Sequence, residues 1–306
     1  MSKITFYAFA VLSLCTQTVH AQEKKTAAEK TYTIPFQLTD RNNLSVQAIL
    51  NNKDTVQLMF HTAADDVTLT EDAVKRLSTI VFAGADSVKS WGGADNTSRF
   101  SKSNLLQIGA QSWNHVEIWE NKNSGPHTDG KFGPNLFENK VIEIDFDKKL
   151  ITVSAALPVK VKNYEKLKLT FERSMMFVEA SCTIGNNTFS NKFLIHSGYS
   201  GGILFDDKFS NENKLADQLK IIDEKQLKDS YGNVLKTKKA ILPVLIIGNE
   251  KLTDVPVGFF DGAIGRQKMS VMGGDILKRF NIVIDAQREY IYLKANKLKK
   301  TDYTNV

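Results

Sequence analysis

The chain has 306 residues, 42% hydrophobic and 24% charged, with a formal net charge of +6. At about 100–200 residues per domain this is globular composition for two domains or lobes, with no low-complexity segment beyond short tails. Much of the excess charge sits at the ends (Lys24, Lys25, Lys30; Lys294, Lys297, Lys299, Lys300). No basic stripe is interleaved with aromatics, so nucleic acid is not expected as a partner.

The chain opens with a short basic start, MSK, followed by the apolar run ITFYAFAVLSL and by VHA-Q at Val19 to Gln22. That order describes a secretory signal with a small-x-small cleavage site. Cleavage after Ala21 makes residues 1–21 a signal peptide and 22–31 a linker. The run is shorter than the ~20 residues that span a bilayer, and no later segment is apolar enough to do so. Leu12-Ser13-Leu14-Cys15 roughly resembles a lipobox, but Leu14 is large where such sites hold a small residue. The expectation is a soluble exported protein of a bacterial periplasm or cell surface. Cys182, in FVEASCTIG, would then be the one cysteine left. A lone cysteine makes no internal disulfide, and it reads as a small buried apolar residue.

From Tyr32 onward, short runs of Val, Ile, Phe and Thr alternate with Gly, Asn and Asp turns: LSVQAIL then NNKD, FVEASCTI then GNN, LPVLII then GNE. This is strand-and-hairpin patterning. Helical stretches are few. Thr70–Leu77 has a Thr cap and acids in its first turn, Phe209–Leu219 is a second candidate, and DILKRF is a single turn. There is no Gly-rich phosphate loop and no Cys/His spacing of the metal-binding kind.

An internal repeat organises these elements. FGPNLFENKVIEIDFDKKLITV (Phe132 to Val153) aligns without a gap on MGGDILKRFNIVIDAQREYIYL (Met272 to Leu293). Gly133 falls on Gly273, Asn135 on Asp275, Asp145 on Asp285, and Ile142, Ile144 and Ile151 on Ile282, Ile284 and Ile291. Upstream, LMFHTAADDVTL aligns on FLIHSGYSGGIL, placing His61 on His196, Thr62 on Ser197, Ala63 on Gly198 and Leu69 on Leu204. The same two elements recur in the same order, so the chain is a tandem pair of one unit of about 130 residues.

Two β units, each with an apolar strand running into a polar-Thr/Ser-Gly turn, then an apolar-apolar-Gly element and a closing hairpin, resemble the pepsin and retropepsin superfamily of aspartic peptidases. HTAADDVTL is similar to the D-T-G-A-D-D stretch of retroviral proteases, and IHSGYSGGI to the D-T/S-G-x-S-G turn of bilobal bacterial relatives. The resemblance runs from about Tyr32 to Leu293. It implies an all-β fold of two similar β-barrel lobes, 32–156 and 157–296, with a central cleft, few short helices and a basic tail at 297–306. It also implies an extended peptide as substrate. A glycan is the second candidate, since an acid/base pair beneath aromatic flaps suits sugars as well. No cofactor and no metal are implied, and the chain is expected to act as a monomer.

The departure lies where each lobe of that family supplies one aspartate: here both positions are histidine, His61 and His196. Two carboxylates about 3 Å apart share one proton. Two imidazoles obey the mirror rule, since two cations do not sit together cheaply, and their protons leave in macroscopic steps belonging to the pair. With an unperturbed pKa near ~6.5, a half-charged pair is expected close to neutral pH, one ring serving as base and the other as acid in hydrolysis. The alternative is a catalytically inactive pseudopeptidase that keeps its cleft as a peptide- or glycan-binding module. Zinc would find two ligands in the pair, with His115, His127, Asp65 and Asp129 as further donors, but no spacing supports a site. His115 reads instead as a half-buried strand residue and His127 as an exposed loop residue.

The resemblance assigns the remaining roles. Thr62 and Ser197 resemble the hydroxyls that cross-link the two turns, with Gly198 completing the second turn. Asp65 and Asp66 match acids that hold substrate main chain, or else cap the following helix. Flap hairpins are implied at Lys89–Gly93 and Ser230–Asn233, each with an aromatic beside a glycine. Trp91 and Tyr231 would then lie over a bound polymer or pack on their own hairpins. Tyr199 is a further lining candidate.

Overall fold

The structure is a computed structural model, and it describes residues 31–89, 95–232, 234–260 and 267–304. The expected signal peptide, the expected linker up to Lys30, and Trp91 lie outside the described residues. The rest is mostly strand, folded as two β lobes joined by a shared sheet.

In the first lobe, Leu44–Leu50 and Asp54–Phe60 form an antiparallel hairpin with Leu44 opposite Phe60. Its turn carries Asn51 and Asn52 at φ of 50° and 59°, a left-handed conformation that Asn tolerates. Asp54–Phe60 then runs parallel to Gly130–Phe132, which is antiparallel to Val67–Thr70. The second lobe repeats the plan. Met175–Ile184 and Asn187–His196 form the hairpin, with Gly185 at φ 58° in its turn. Asn187–His196 runs parallel to Ser270–Gly273, which is antiparallel to Ile203–Leu204.

The shared sheet takes Tyr32–Pro35, Leu150–Ser154 and Val141–Asp145 from the first half. From the second it takes Phe280–Ile284, Tyr290–Ala295 and Glu165–Glu172. At its centre Ile142 pairs with Ile284 and Ile144 with Ile282. The repeat equates Ile142 with Ile282 and Ile144 with Ile284, so this crossed pairing is what a two-fold rotation exchanging the halves produces.

Helices are short, as expected. Glu71–Arg76 is capped by Thr70, whose hydroxyl accepts from Ala73 N–H. The Phe209–Leu219 stretch forms two helices, Asp207–Glu212 and Leu215–Gln218, because Lys214 adopts φ 47° between them. The single turn is Gly274–Leu277. Phe60, Phe132 and Phe137 pack together beneath the first turn, with ring centroids 5.2–6.2 Å apart. Cys182 is fully buried, and burial pushes its thiol up to about 12. It is therefore an inert core residue. Among the described residues no helix is long and apolar enough to cross a membrane.

Candidate functional site

Each lobe presents one histidine at the end of one strand. His61 follows Asp54–Phe60 and donates its backbone N–H to Phe132 O at 2.9 Å. His196 ends Asn187–His196 opposite Gly273. The next residues bind the lobes to each other. Thr62 N–H donates to Ser197 Oγ (3.0 Å) and Ser197 N–H to Thr62 Oγ1 (3.0 Å). Thr62 Oγ1 donates to Ile195 O (2.7 Å) and Ser197 Oγ to Phe60 O (2.7 Å). All four bonds are buried, and each hydroxyl both donates to and accepts from the opposite lobe's backbone. Thr62→Val keeps the shape but strands the Ser197 N–H and the Ile195 carbonyl. It should lower the unfolding free energy by about 2 kcal/mol, read by urea denaturation; a change under about 0.5 kcal/mol would show that the cross-link contributes nothing.

These bonds bring the two rings to a centroid separation of 4.5 Å, edge to face at 62°. Both are turned the same way with respect to the main chain. His61 Nδ1 accepts from Ala63 N–H (3.2 Å), and His196 Nδ1 accepts from Tyr199 N–H (2.9 Å). A neutral imidazole has one donor and one acceptor nitrogen. With Nδ1 accepting in both rings, the neutral form carries its proton on Nε2, and both rings line the cavity between the lobes. Gly198 is required here by close approach: a Cβ on it would stand 2.2 Å from His61 Cδ2 and 2.3 Å from Nε2. Ala63 occupies the equivalent place in the first turn.

Lys131 completes the floor, and it was not singled out in the sequence. It lies in the strand Gly130–Phe132, where the repeat has Val271. The available sign was that this lobe reads Lys-Phe-Gly where two apolar residues should precede the glycine. Burial pushes the Lys131 ammonium down to about 8, partly offset by Asp229. Burial, then the Lys131 charge, lowers His196 to about 4. Burial, then His196 and Lys131, holds His61 well below the ordinary imidazole value. Both rings are therefore neutral at pH 7. The half-charged pair expected near neutrality does not form, because desolvation and the neighbouring cation outweigh the unperturbed value.

A hairpin from the second lobe roofs the site. Lys122 and Asn123 N–H, in the first lobe, both donate to Ser230 O (2.8 and 2.9 Å). The Asn123 side chain donates to Asp229 O (3.0 Å) and Lys131 Nζ to Ser230 Oγ (2.8 Å). The Tyr231 hydroxyl hydrogen-bonds Ser98, also in the first lobe. Tyr231 thus bridges the lobes instead of packing on its own hairpin. Beneath lies a cavity of about 670 Å³, with His61, His196 and Gly198 below, Tyr199 at the side and Asp229–Tyr231 above. Burial, then Asp275, pushes the Tyr199 hydroxyl up, keeping it protonated.

Other sequence candidates fall elsewhere. Asp65 and Asp66 are exposed and do not line the cavity, and the helix cap is Thr70. His115 is exposed, at φ 58° where the strand register shifts, and so is not half-buried as expected. His127 is exposed as expected. Asp129 is taken by Gln57 N–H and Arg76. Among the described residues no group of three or more His, Cys, Asp or Glu could hold a metal ion.

Fold and site together define a two-lobed all-β protein with a roofed inter-lobe cavity floored by hydrogen-bond donors. Comparison with protein-family models and with curated proteins finds no match for the chain.

Proposed function

We propose that the chain is an exported, bilobal aspartic-peptidase-like protein that binds an extended peptide between its lobes and does not hydrolyse it through the histidine pair. The observation that carries this reading is the orientation of the rings. Activating water requires an unprotonated nitrogen facing the substrate. At His61 and His196 the accepting nitrogen is Nδ1, occupied by a backbone N–H. What remains toward the cavity is two Nε2–H donors, suited to holding an oxygen of a ligand. The cavity volume falls within the ~300–1,000 Å³ range of ligand sites. The all-β, two-lobed architecture and the hydroxyl cross-link at Thr62 and Ser197 support the family reading.

The test is to incubate the chain with mixed peptide libraries from pH 4 to 9, following retention and cleavage by mass spectrometry. Retention without cleavage is expected. Cleavage that disappears in His61→Ala would overturn the reading.

The buried neutral pair also sets a stability profile. Unfolded, each imidazole titrates near ~6.5; folded, His196 titrates at about 4 and His61 well below its ordinary value. Between about pH 6.5 and 4 the unfolded state binds more protons, so stability falls as pH drops through that window. For His196 the fall is on the order of 3 kcal/mol. Urea unfolding at pH 7 and pH 4.5 should show a larger loss in the native chain than in a His61→Gln/His196→Gln double variant. Equal losses would contradict the depressed titration.

A further inference from the structure

We propose that the cavity floor is a carboxylate site, in which His61 Nε2–H, His196 Nε2–H and the Lys131 ammonium together hold one carboxylate of the bound ligand. The proposal rests on the binding reading above and deepens it by naming the group recognised.

Three observations carry it. First, the two rings and Lys131 offer donors. Both Nδ1 atoms are occupied by Ala63 and Tyr199 N–H, which leaves two Nε2–H groups and an ammonium around one cavity. A carboxylate is acceptor-only, with two oxygens and about four lone-pair positions, so it matches these three donors.

Second, among the described residues no carboxylate lies within ion-pair distance of Lys131. Its hydrogen-bond partner among the described residues is the neutral Ser230 Oγ at 2.8 Å. Asp229 acts on it electrostatically, while burial remains the larger influence. An ammonium withdrawn from water with one neutral partner is costly, and a ligand carboxylate supplies both the charge and the acceptors. Charge-assisted bonds of this kind are about twice as strong as neutral ones.

Third, the cavity lining is net positive: it carries Arg41, Lys131 and Lys228 against one acid, Asp229. That balance favours an anion. Two sources carry the same chemistry: the terminal carboxylate of a peptide and the acid group of a uronate sugar.

The experiment measures equilibrium binding of paired probes to the full chain. The peptide pair is an N-acetylated tetrapeptide pool lacking Asp and Glu, as free acid and as C-terminal amide. The sugar pair is oligogalacturonate and its methyl ester. The acid member of one pair should bind about 10- to 100-fold more tightly than its neutral partner. Lys131→Met should erase that difference and Lys131→Arg retain part of it. Which pair shows the preference identifies the source: the peptide acid supports both readings, whereas the uronate supports the carboxylate site and overturns the peptide reading.

Should Lys131→Met fail to fold, the native chain still decides. The imidazole NH signals of His61 and His196 should move with the acid probe and stay put with the neutral one. Equal affinity for acid and neutral members overturns the carboxylate proposal while leaving the cavity a binding site. Failure of the native chain to bind any probe overturns both.

Discussion

Asp275→Ala should cost about 3–5 kcal/mol of unfolding free energy, because it leaves two buried cations without their shared anion. Asp275 is fully buried, with Lys278 Nζ 2.7 Å and Arg279 Nη2 3.5 Å from Oδ1. Its Oδ2 accepts from Thr304 N–H (2.9 Å). Each cation reaches onward. Lys278 donates to Asn42 Oδ1 (3.0 Å), and Asn42 in turn donates to Ser200 O (2.8 Å) and Thr304 Oγ1 (2.7 Å). Arg279 donates to the carbonyls of Leu298, Lys299 and Thr301 (3.2, 2.8 and 2.7 Å) and lies over the Tyr303 ring (3.8 Å). The basic end of the chain is thus packed against the second lobe as far as Thr304. Urea denaturation at pH 7 measures the effect; a loss under about 1 kcal/mol would mean the network is not held together by this carboxylate.

Gly133→Ala is expected to destabilise by about 3 kcal/mol or more and to abolish ligand retention in the same variant. Gly133 has φ −109°, open to any residue, so conformational freedom is not the reason for glycine. The reason is space: a Cβ would stand 1.7 Å from Ala64 O. That oxygen belongs to the turn bearing His61, and a backbone atom cannot swing aside as a side chain does. Relief requires the whole turn to retreat, and overpacking of this severity lies at or beyond the usual 1–3 kcal/mol range. Gly273, its partner in the repeat, is crowded by Gly201 O at 2.3 Å. The glycine of each apolar-apolar-Gly element is therefore what lets the histidine turn lie against the neighbouring strand. Unfolding and binding measured on one preparation test both halves; retention of binding at native stability would refute the close approach.

Much of this was legible in the sequence. The recurrence of the histidine turn and the closing hairpin indicated the two lobes, though not the sheet they share. It also placed Thr62 against Ser197 and His61 against His196 across a two-fold axis. Hairpin turns were legible because Asn and Gly at left-handed φ leave a local mark. What was hidden depends on tertiary distance. No local pattern says that Ser230 and Tyr231 cross to the other lobe, or that Lys131, one position in a nominally apolar pair, reaches the cavity. Asp65 and Asp66 sit beside the first turn in sequence yet face solvent. The protonation of the pair was hidden for a further reason. Residue type gives only the unperturbed value, whereas burial, the Lys131 charge and two backbone N–H groups decide the state in the folded protein.

The most direct measurement is a pH titration of the imidazole nitrogens by ¹⁵N NMR, with signals assigned through His61→Gln and His196→Gln. Both rings should remain neutral from pH 8 down to about 5 with the proton on Nε2, and only below that should His196 begin to charge. Titration of either ring near its unperturbed value, or a proton on Nδ1, would restore a base facing the cavity and contradict the donor floor on which the proposed binding role stands.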